Sequence, residues 1–306
     1  MRVLVVVNPR ATATSQRVRD LLVKAIKGSA DVTVEKTENR GHAAALACRA
    51  MRSHVDAVIA VGGDGTVNEV VNGLLTDGVH RDTPPLGIIP VGSTNVVARA
   101  LGIANDPIEA TGNLLDALNN NSTRHISLGK MDDRWFVFAA GVGIDAAVVE
   151  SVERERRRGK RSTHSLYVRL AIKEFYSAER KNPQLSVEFA DGMQVDGLYN
   201  AIVTNTDPWT FVGKRPVRPT PTTTFDTGLG FYGRRNLSTI GTLLGVANML
   251  RPSKTIPQWG SFVREDVSAL TIRCESPQPV QVDGDLLEPR SHMRIWSVPR
   301  AISVIV

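Results

Sequence analysis

The chain is short of several things. It has two cysteines, Cys48 and Cys274, far apart and without metal-ligand spacing, so both are expected to be packed or idle thiols in a reducing compartment. No apolar run approaches the length of a membrane-spanning helix. The start, MRVLVVVNPR, is apolar over too short a stretch for a secretory signal and ends at Asn8-Pro9. Aromatic residues make up 5%, with no aromatic–basic signature, so nucleic-acid binding would rest on net charge alone and is discounted. Internal repeats and long low-complexity tracts are missing. These absences lead us to expect a cytoplasmic protein, associated with the inner face of a membrane at most peripherally.

What is there suits two domains with cores of their own: 306 residues, 42% hydrophobic and 22% charged. A formal charge of +6 suits anionic partners, whether nucleotide or acidic membrane. Nothing in the sequence fixes an oligomeric state, and a homodimer is allowed.

The most informative stretch begins at Ala57. Ala57-Val58-Ile59-Ala60-Val61 has the length and β-branching of a buried strand. Gly62-Gly63-Asp64-Gly65 follows, and then Val67, Val70, Val71 and Leu74 at helical spacing. Strand, glycine turn and helix together bring helix-start amides to an anionic ligand. Asp64 would repel a phosphate unless it meets a magnesium ion or orients an attacking hydroxyl.

Around it, Val3 to Val7 reads as a strand, Ser15 to Lys27 as a helix, Asp31 to Lys36 as a strand and His42 to Arg52 as a helix. Leu86 to Ile89 is a further short strand, followed by Pro90-Val91-Gly92-Ser93-Thr94-Asn95 and a helix through Ala98, Arg99 and Leu101. Alternation at this spacing implies a parallel sheet covered on both faces. Ligands in such sheets lie beyond the carboxyl ends of the strands, where Asn8 to Thr12, Thr37 and the loop from Gly62 to Asn68 would gather.

GGDGT followed by Asn68-Glu69, together with the Pro-x-Gly-Ser-x-Asn loop, the Asn8-Pro9 loop and Thr37 before Arg40-Gly41-His42, resembles the diacylglycerol kinase catalytic family, which includes bacterial lipid kinases and sphingosine and ceramide kinases. The GGDG core is shared with NAD kinases and some phosphofructokinases. The resemblance implies an N-terminal Rossmann-like three-layer α/β domain over residues 1–124, joined by a returning strand at 299–306. An antiparallel β-sandwich over 125–298 would take the lipid. It implies ATP and Mg2+ as cofactors. Asn8, Pro9, Arg10, Ala11, Thr12, Thr37, Gly62, Gly63, Asp64, Gly65, Thr66, Val67, Asn68 and Ser93 would line the nucleotide, and Asp64 would act through magnesium and its waters. The chain departs from the family pattern at Thr12, where a glycine is usual, and at Ala13 and Val96, where a lysine and an aspartate are usual.

The second half reads mostly as strands. They run Trp135 to Ala139, Leu185 to Phe189, Met193 to Val195, Leu198 to Val203, Leu229 to Tyr232, Ala269 to Cys274, Val280 to Val282, Met293 to Val298 and Ile302 to Val306. Gly141 to Ala146 resembles the family's glycine-rich entry to a helix, and Asp145 by itself reads as a helix cap. Gln281-Val282-Asp283-Gly284-Asp285 holds a hairpin turn. Asp285 stands where the family has the glutamate expected to act as general base, one methylene shorter. Asp226, in Phe225-Asp226-Thr227-Gly228-Leu229, matches one acid of a family magnesium site whose second acid is Thr227 here. Val203-Thr204-Asn205 matches a family strand ending in asparagine.

Two stretches leave alternatives open. Glu150 to Arg161 is either a solvated helix face with pairs four apart or, through Arg156, Arg157, Arg158, Lys160 and Arg161, a contact for acidic headgroups. Asn236 to Leu250 reads as a helix whose Leu237, Ile240, Leu244 and Ala247 either pack in a core or, flanked by Arg234, Arg235, Arg251 and Lys254, dock on a membrane surface.

The function implied is ATP-dependent phosphorylation of the hydroxyl of diacylglycerol or a related lipid at the membrane surface. The rivals are an NAD-kinase-like enzyme for a soluble substrate and a nucleotide-binding, membrane-associated protein without catalysis.

Overall fold

The computed structural model describes residues 1–11, 15–28, 30–158, 166, 169–171, 173–174, 184–213, 215–251 and 260–306. They form two compact units, one of residues 1–128 with 299–306 and one of residues 129–298.

In the first unit, β1 (Arg2–Val7), α1 (Gln16–Lys27), β2 (Asp31–Lys36), α2 (His42–Arg52), β3 (Ala57–Gly62), α3 (Asp64–Leu74), β4 (Leu86–Pro90), α4 (Val96–Ala100) and α5 (Pro107–Asn119) follow in order. The strands pair in parallel as β2-β1-β3-β4. A returning segment extends the sheet, with Val304 opposite Leu86 and also parallel. The run RVLVVV is apolar at successive positions because β1 is buried on both faces. Val3, Val5 and Val7 pack with Leu22 and Ile26 of α1 and Leu114 and Leu118 of α5. α2 and α3 meet where Gly73 faces α2, since a Cβ there would lie 2.2 Å from the Ala44 carbonyl oxygen. Ser15 caps α1, its hydroxyl accepting from Val18 N, and Asp106 caps α5.

The second unit is antiparallel and rich in strands. After β5 (Thr123–Met131), which runs into it, come β6 (Arg134–Phe136), β7 (Ala139–Gly143), α6 (Ile144–Arg157), β8 (Leu185–Phe189), β9 (Gln194–Leu198), β10 (Asn200–Thr204), β11 (Thr210–Val212), β12 (Arg215–Val217), β13 (Leu229–Arg234), α7 (Thr239–Met249), β14 (Ser261–Val267), β15 (Ala269–Val282) and β16 (Asp285–Ile305). Its sheet runs β14-β13-β10-β7-β15. β15 also pairs with β8 and, as a hairpin, with β16. The core centres on Phe136, Phe189, Phe231, Leu270, Ile272, Met293 and Ile295. Cys274 is partly buried against this core, and burial pushes its thiol up to about 11, which fits an idle thiol.

Four strand expectations need correction. Leu198 to Val203 is divided at Tyr199 between β9 and β10. Trp135 to Ala139 is not one strand: β6 ends at Phe136 and β7 begins at Ala139. The amides of Val137, Phe138 and Ala139 donate to the Asp283 carboxylate instead of continuing a ladder. The stretches at 269–274 and 280–282 are one strand, β15, with register shifts around Gln278, beside Pro277 and Pro279, which have no N–H to give. β16 likewise runs on through Pro299 to Ile305. β14, with Arg264, Glu265 and Asp266 inside it, was not anticipated.

Candidate functional site

The carboxyl ends of β1, β2, β3 and β4 share one edge of the first unit's sheet. Thr37 N donates to Val7 O at 2.9 Å, Asn8 N to Val61 O at 3.0 Å and Val91 N to Gly62 O at 3.0 Å, so the loops leaving these strands begin hydrogen-bonded to one another. This is the ligand edge of a parallel α/β sheet.

The first loop is held from two sides. Asn8 Oδ1 accepts from Arg10 N at 2.9 Å, and its Nδ2 donates to Thr66 Oγ1 at 3.1 Å. The Arg19 guanidinium, reaching back from α1, donates to Ala11 O at 3.2 Å and Pro9 O at 3.1 Å. Arg19 was not anticipated. Its signal in the sequence is only a cation on an otherwise apolar helix face. Thr12 and Ala13 lie outside the described residues.

α3 is the hub of the edge. A Cβ on Gly62 would lie 2.4 Å from the Thr66 side chain, and one on Gly92 would lie 2.6 Å from Gly63 Cα, so these glycines let two loops touch backbone to backbone. Asp64 spans the same contact. Its Oδ2 accepts from Val96 N and its Oδ1 from Val97 N, both at 3.0 Å, which caps α4. Burial raises the Asp64 carboxyl above its ordinary range, while the amides of Val97 and Val96 pull it back. Glu69 does the same for α2, its two oxygens accepting from Gly41 N at 2.9 Å and Ala43 N at 3.0 Å. Gly63, at the start of α3, supplies no side-chain cap of its own. The two neighbouring helices therefore have their N-termini neutralised by carboxylates of α3, and α3 keeps its own amide-rich start.

The 92–95 loop is closed by Asn95, which sits at φ +52°. Its carboxamide accepts from Gly92 N and donates to Gly92 O, both at 2.9 Å. Ser93 is exposed at the tip, as are Pro9, Arg10 and Gly65, and Thr37 is half-buried. A Cβ on Gly65 would meet nothing within 4 Å, so space is open above the loop. Val67 and Asn68 are buried within α3. Their side chains face the protein, so what they offer a nucleotide is backbone. Val96, which replaces the family's aspartate, is also buried.

The second unit places Asp283 and Asp285 very differently. Asp283 at φ +49° and Gly284 at φ +81° form the two-residue turn of the β15–β16 hairpin, with Val282 opposite Asp285. The buried Asp283 carboxylate accepts from Val137 N at 2.7 Å, Phe138 N at 3.0 Å and Ala139 N at 2.9 Å. Asn205 holds the same segment, its Nδ2 donating to Val137 O at 2.8 Å. Asp285 is half-buried and stands 3.5 Å from the Arg134 guanidinium.

Asp145 does not cap its helix. It lies in the first turn of α6, and its Oδ2 accepts from Gln281 Nε2 at 2.8 Å. Gln281 Oε1 in turn accepts from Gly284 N at 2.8 Å. Gly141 is glycine because a Cβ there would lie 1.8 Å from Asp145 Oδ2. The glycine-rich entry to a helix is there as expected, with Gly141 and Gly143 closing β7 directly before α6 begins at Ile144.

Burial pushes the Asp145 carboxyl up to about 6, with the Gln281 bond opposing. Its ordinary value is 3.8, so protonation favours the folded state. That stability is full below about pH 4 and is lost as pH rises through about 6. Asp145→Asn keeps an acceptor for Gln281 and removes the charge. The urea midpoint of the variant relative to wild type should therefore rise between about pH 4 and pH 7 and be flat below that window. A difference independent of pH would show that Asp145 does not titrate in this way.

Asp226 is exposed in a turn where the Thr227 hydroxyl accepts from Thr224 N at 2.9 Å and bonds to Thr224 O and Gly228 O at 3.0 Å. Among the described residues no group of three or more His, Cys, Asp or Glu is placed to hold a metal. With the turn closed on itself by Thr227, and the Asp266 carboxylate taken up by Gly228 N at 2.8 Å, exposed Asp226 is a poor fit to a resident structural magnesium, and we assign none there.

Arg154 of α6 pairs with Glu150, four residues before it, at 3.4 Å, as a solvated face would, while Arg158, just past the helix, meets the buried Glu155 at 3.0 Å. The side chain of Arg156, and Lys160 and Arg161, lie outside the described residues. Among the described residues no helix is long and apolar enough to cross a membrane.

Residues 2–131 match the family model for the diacylglycerol kinase catalytic domain. A diacylglycerol kinase of Staphylococcus aureus (strain JH9) is 40% identical over 124 residues, which is 40% of this chain and 37% of that protein, and its counterpart in strain Newman matches to the same extent. The match thus spans little more than a third of these relatives' length. A crystal structure of a diacylglycerol kinase from Bacillus anthracis str. Sterne superposes with a TM-score of 0.73 at 19% identity, covering 99% of this chain and 96% of that one. A second from the same organism gives 0.74 at 20%. At that identity the likeness establishes the fold.

Proposed function

We propose that the chain, whose residues 2–131 match the family model for the diacylglycerol kinase catalytic domain, transfers the γ-phosphoryl group of ATP to the hydroxyl of diacylglycerol or a related lipid at a membrane surface, giving a phosphate monoester such as phosphatidate. The observation that carries this reading is the start of α3, left amide-rich while α2 and α4 are capped by Glu69 and Asp64. Anionic phosphates belong at such a helix start.

In this reading the amides from Gly62 to Gly65 cradle the phosphates, the Thr66 amide being bonded to Gly63 O at 2.9 Å, with Asn8 to Ala11, Thr37 and Ser93 around them. Asp64 serves the transferred group by fixing two phosphate loops against each other. Magnesium accompanying the nucleotide supplies charge neutralisation at the transferred group. The lipid oxygen attacks the γ-phosphorus, the bond to the bridging oxygen breaks, and ADP leaves. Asp285 takes the hydroxyl proton.

The test is to incubate the protein with labelled ATP, magnesium and a total lipid extract and to identify the product by mass spectrometry. A labelled lipid phosphate monoester is expected. Label in a water-soluble product, or ATP binding without turnover on any lipid, would overturn the reading.

A further inference from the structure

α7 turns its large apolar residues toward solvent. Ile240 is 74% exposed, Leu243 66% and Leu244 50%, and with exposed Ala247 they recur at helical spacing. Val246 beside them is 48% exposed. The opposite face carries Gly241 and Gly245. A Cβ on Gly241 would lie 2.6 Å from Ser238 Oγ, and one on Gly245 would lie 2.8 Å from Arg234 Nη1. The buried Arg234 guanidinium, at the end of β13, donates to Asn236 O at 2.7 Å, Thr242 Oγ1 at 3.2 Å and Gly241 O at 3.4 Å. The helix is thus seated by its glycines, and its leucines are left outside. A surface helix whose task is to close a core shows the reverse arrangement.

The segment that carries this ridge has charges of one sign. From Thr227 to Val263 the sequence has no aspartate or glutamate, while Arg234, Arg235, Arg251 and Lys254 fall within it; Arg264, next to it, is paired with Asp191 at 2.6 Å. Exposed Arg235, 5.7 Å from the Phe262 ring, precedes the helix, and exposed Arg251 follows it. Lys254 lies outside the described residues. An apolar ridge with cations at both ends complements a surface that is anionic outside and apolar just beneath, which is an acidic bilayer. At about 1.5 Å per residue the helix is too short to span one, so it would lie in the interface.

We propose that α7 docks the chain on anionic lipid bilayers, inserting Ile240, Leu243, Leu244 and Val246 below headgroups met by Arg235 and Arg251. This deepens the lipid-kinase reading, on which it rests for the reason the chain visits a membrane. The test is sedimentation with vesicles of phosphatidylcholine alone or mixed with phosphatidylglycerol, without ATP. Wild type should bind the mixed vesicles far better, and salt should release it. Leu243→Ser with Leu244→Ser should lower that binding tenfold or more, and Arg235→Gln with Arg251→Gln severalfold.

Equal binding by wild type and the leucine pair would overturn the proposal. So would a wild-type dimer that the leucine pair converts to monomer without any vesicle binding, since a second copy would then cover the ridge. A marked fall in melting temperature in the leucine pair would show that another part of this chain packs there, and would also overturn it. Phosphorylation of diacylglycerol in detergent micelles, measured in parallel, should be unchanged by the leucine pair. No phosphorylation by wild type with vesicle binding intact would count against the kinase reading and leave the docking surface standing.

Discussion

Asp285→Asn should lower kcat for lipid phosphorylation by roughly 10²-fold or more and leave the KM for ATP nearly unchanged. An alcohol is a poor nucleophile, and a carboxylate in reach of its proton assists as the oxygen attacks. Asp285 is the acid of its hairpin suited to this task, because the Asp283 carboxylate is taken up by three backbone amides. The two variants should therefore fail differently. Asp283→Asn turns an amide donor toward other donors and should cost on the order of 1–3 kcal/mol of stability or more, visible in a urea titration. Asp285→Asn should melt close to wild type. Asp285→Glu, which lengthens the reach, should retain appreciable activity. If Asp285→Asn turns over normally while Asp283→Asn is folded and dead, the base is Asp283. If both are active, the base is not in this hairpin.

The second large effect is expected at Asp64. Both of its oxygens accept backbone amides at the start of α4. Asn keeps one acceptor and sets an N–H₂ against the remaining donor, so the bond between the two phosphate loops is half lost. Asp64→Asn should remove most turnover, and the loss should come with weaker ATP binding and a destabilisation of about 1–3 kcal/mol. An Asp64 acting only through magnesium would give a different pattern, with kcat lost and both ATP affinity and melting temperature retained. Activity near that of wild type would exclude either role. Titration calorimetry with a non-hydrolysable ATP analogue, alongside thermal unfolding, separates the outcomes.

The first half of the chain was the more legible in sequence, for a physical reason. Here β1, β3 and β4 are buried on both faces, β2 alternates at the sheet's edge and the helices bury one face, so period and apolar run length speak plainly. β2 and α2 fall at the residues their patterns indicate. The loops carrying Asn8, Thr37, Gly62 and Ser93 were also legible, since a parallel sheet sends every strand's carboxyl end to one edge. What those loops hold was not. Asp64 meets Val97 across 33 positions, and Gln281 meets Asp145 across 136. No local pattern encodes such a pair. Asp145 therefore looked like a cap by its place alone, and Glu69 carried no sign that it would close α2. In the second half the strands take in prolines: β15 shifts register around Pro277 and Pro279, and β16 runs on through Pro299. α7 misleads in another way. Its apolar spacing is that of a core helix, and only the glycines on its far side, meeting Arg234, show which face is held.

The returning segment 299–306 has a consequence for biosynthesis. Leu86 of β4 is paired with Val304, so one border of the first unit's sheet is completed by residues made after the whole of 129–298. At ribosomal speeds of about 5–20 residues per second, that border waits roughly ten to forty seconds for its neighbour. Through that interval a nascent chain presents an open strand flank of apolar sequence, Leu-Gly-Ile-Ile-Pro, to whatever else is being synthesised nearby. Pro90, which has no N–H, closes one end of that flank to foreign pairing. The rest depends on chaperones or on fast translation, and slowing synthesis across 129–298 should enrich aggregates of the unfinished chain.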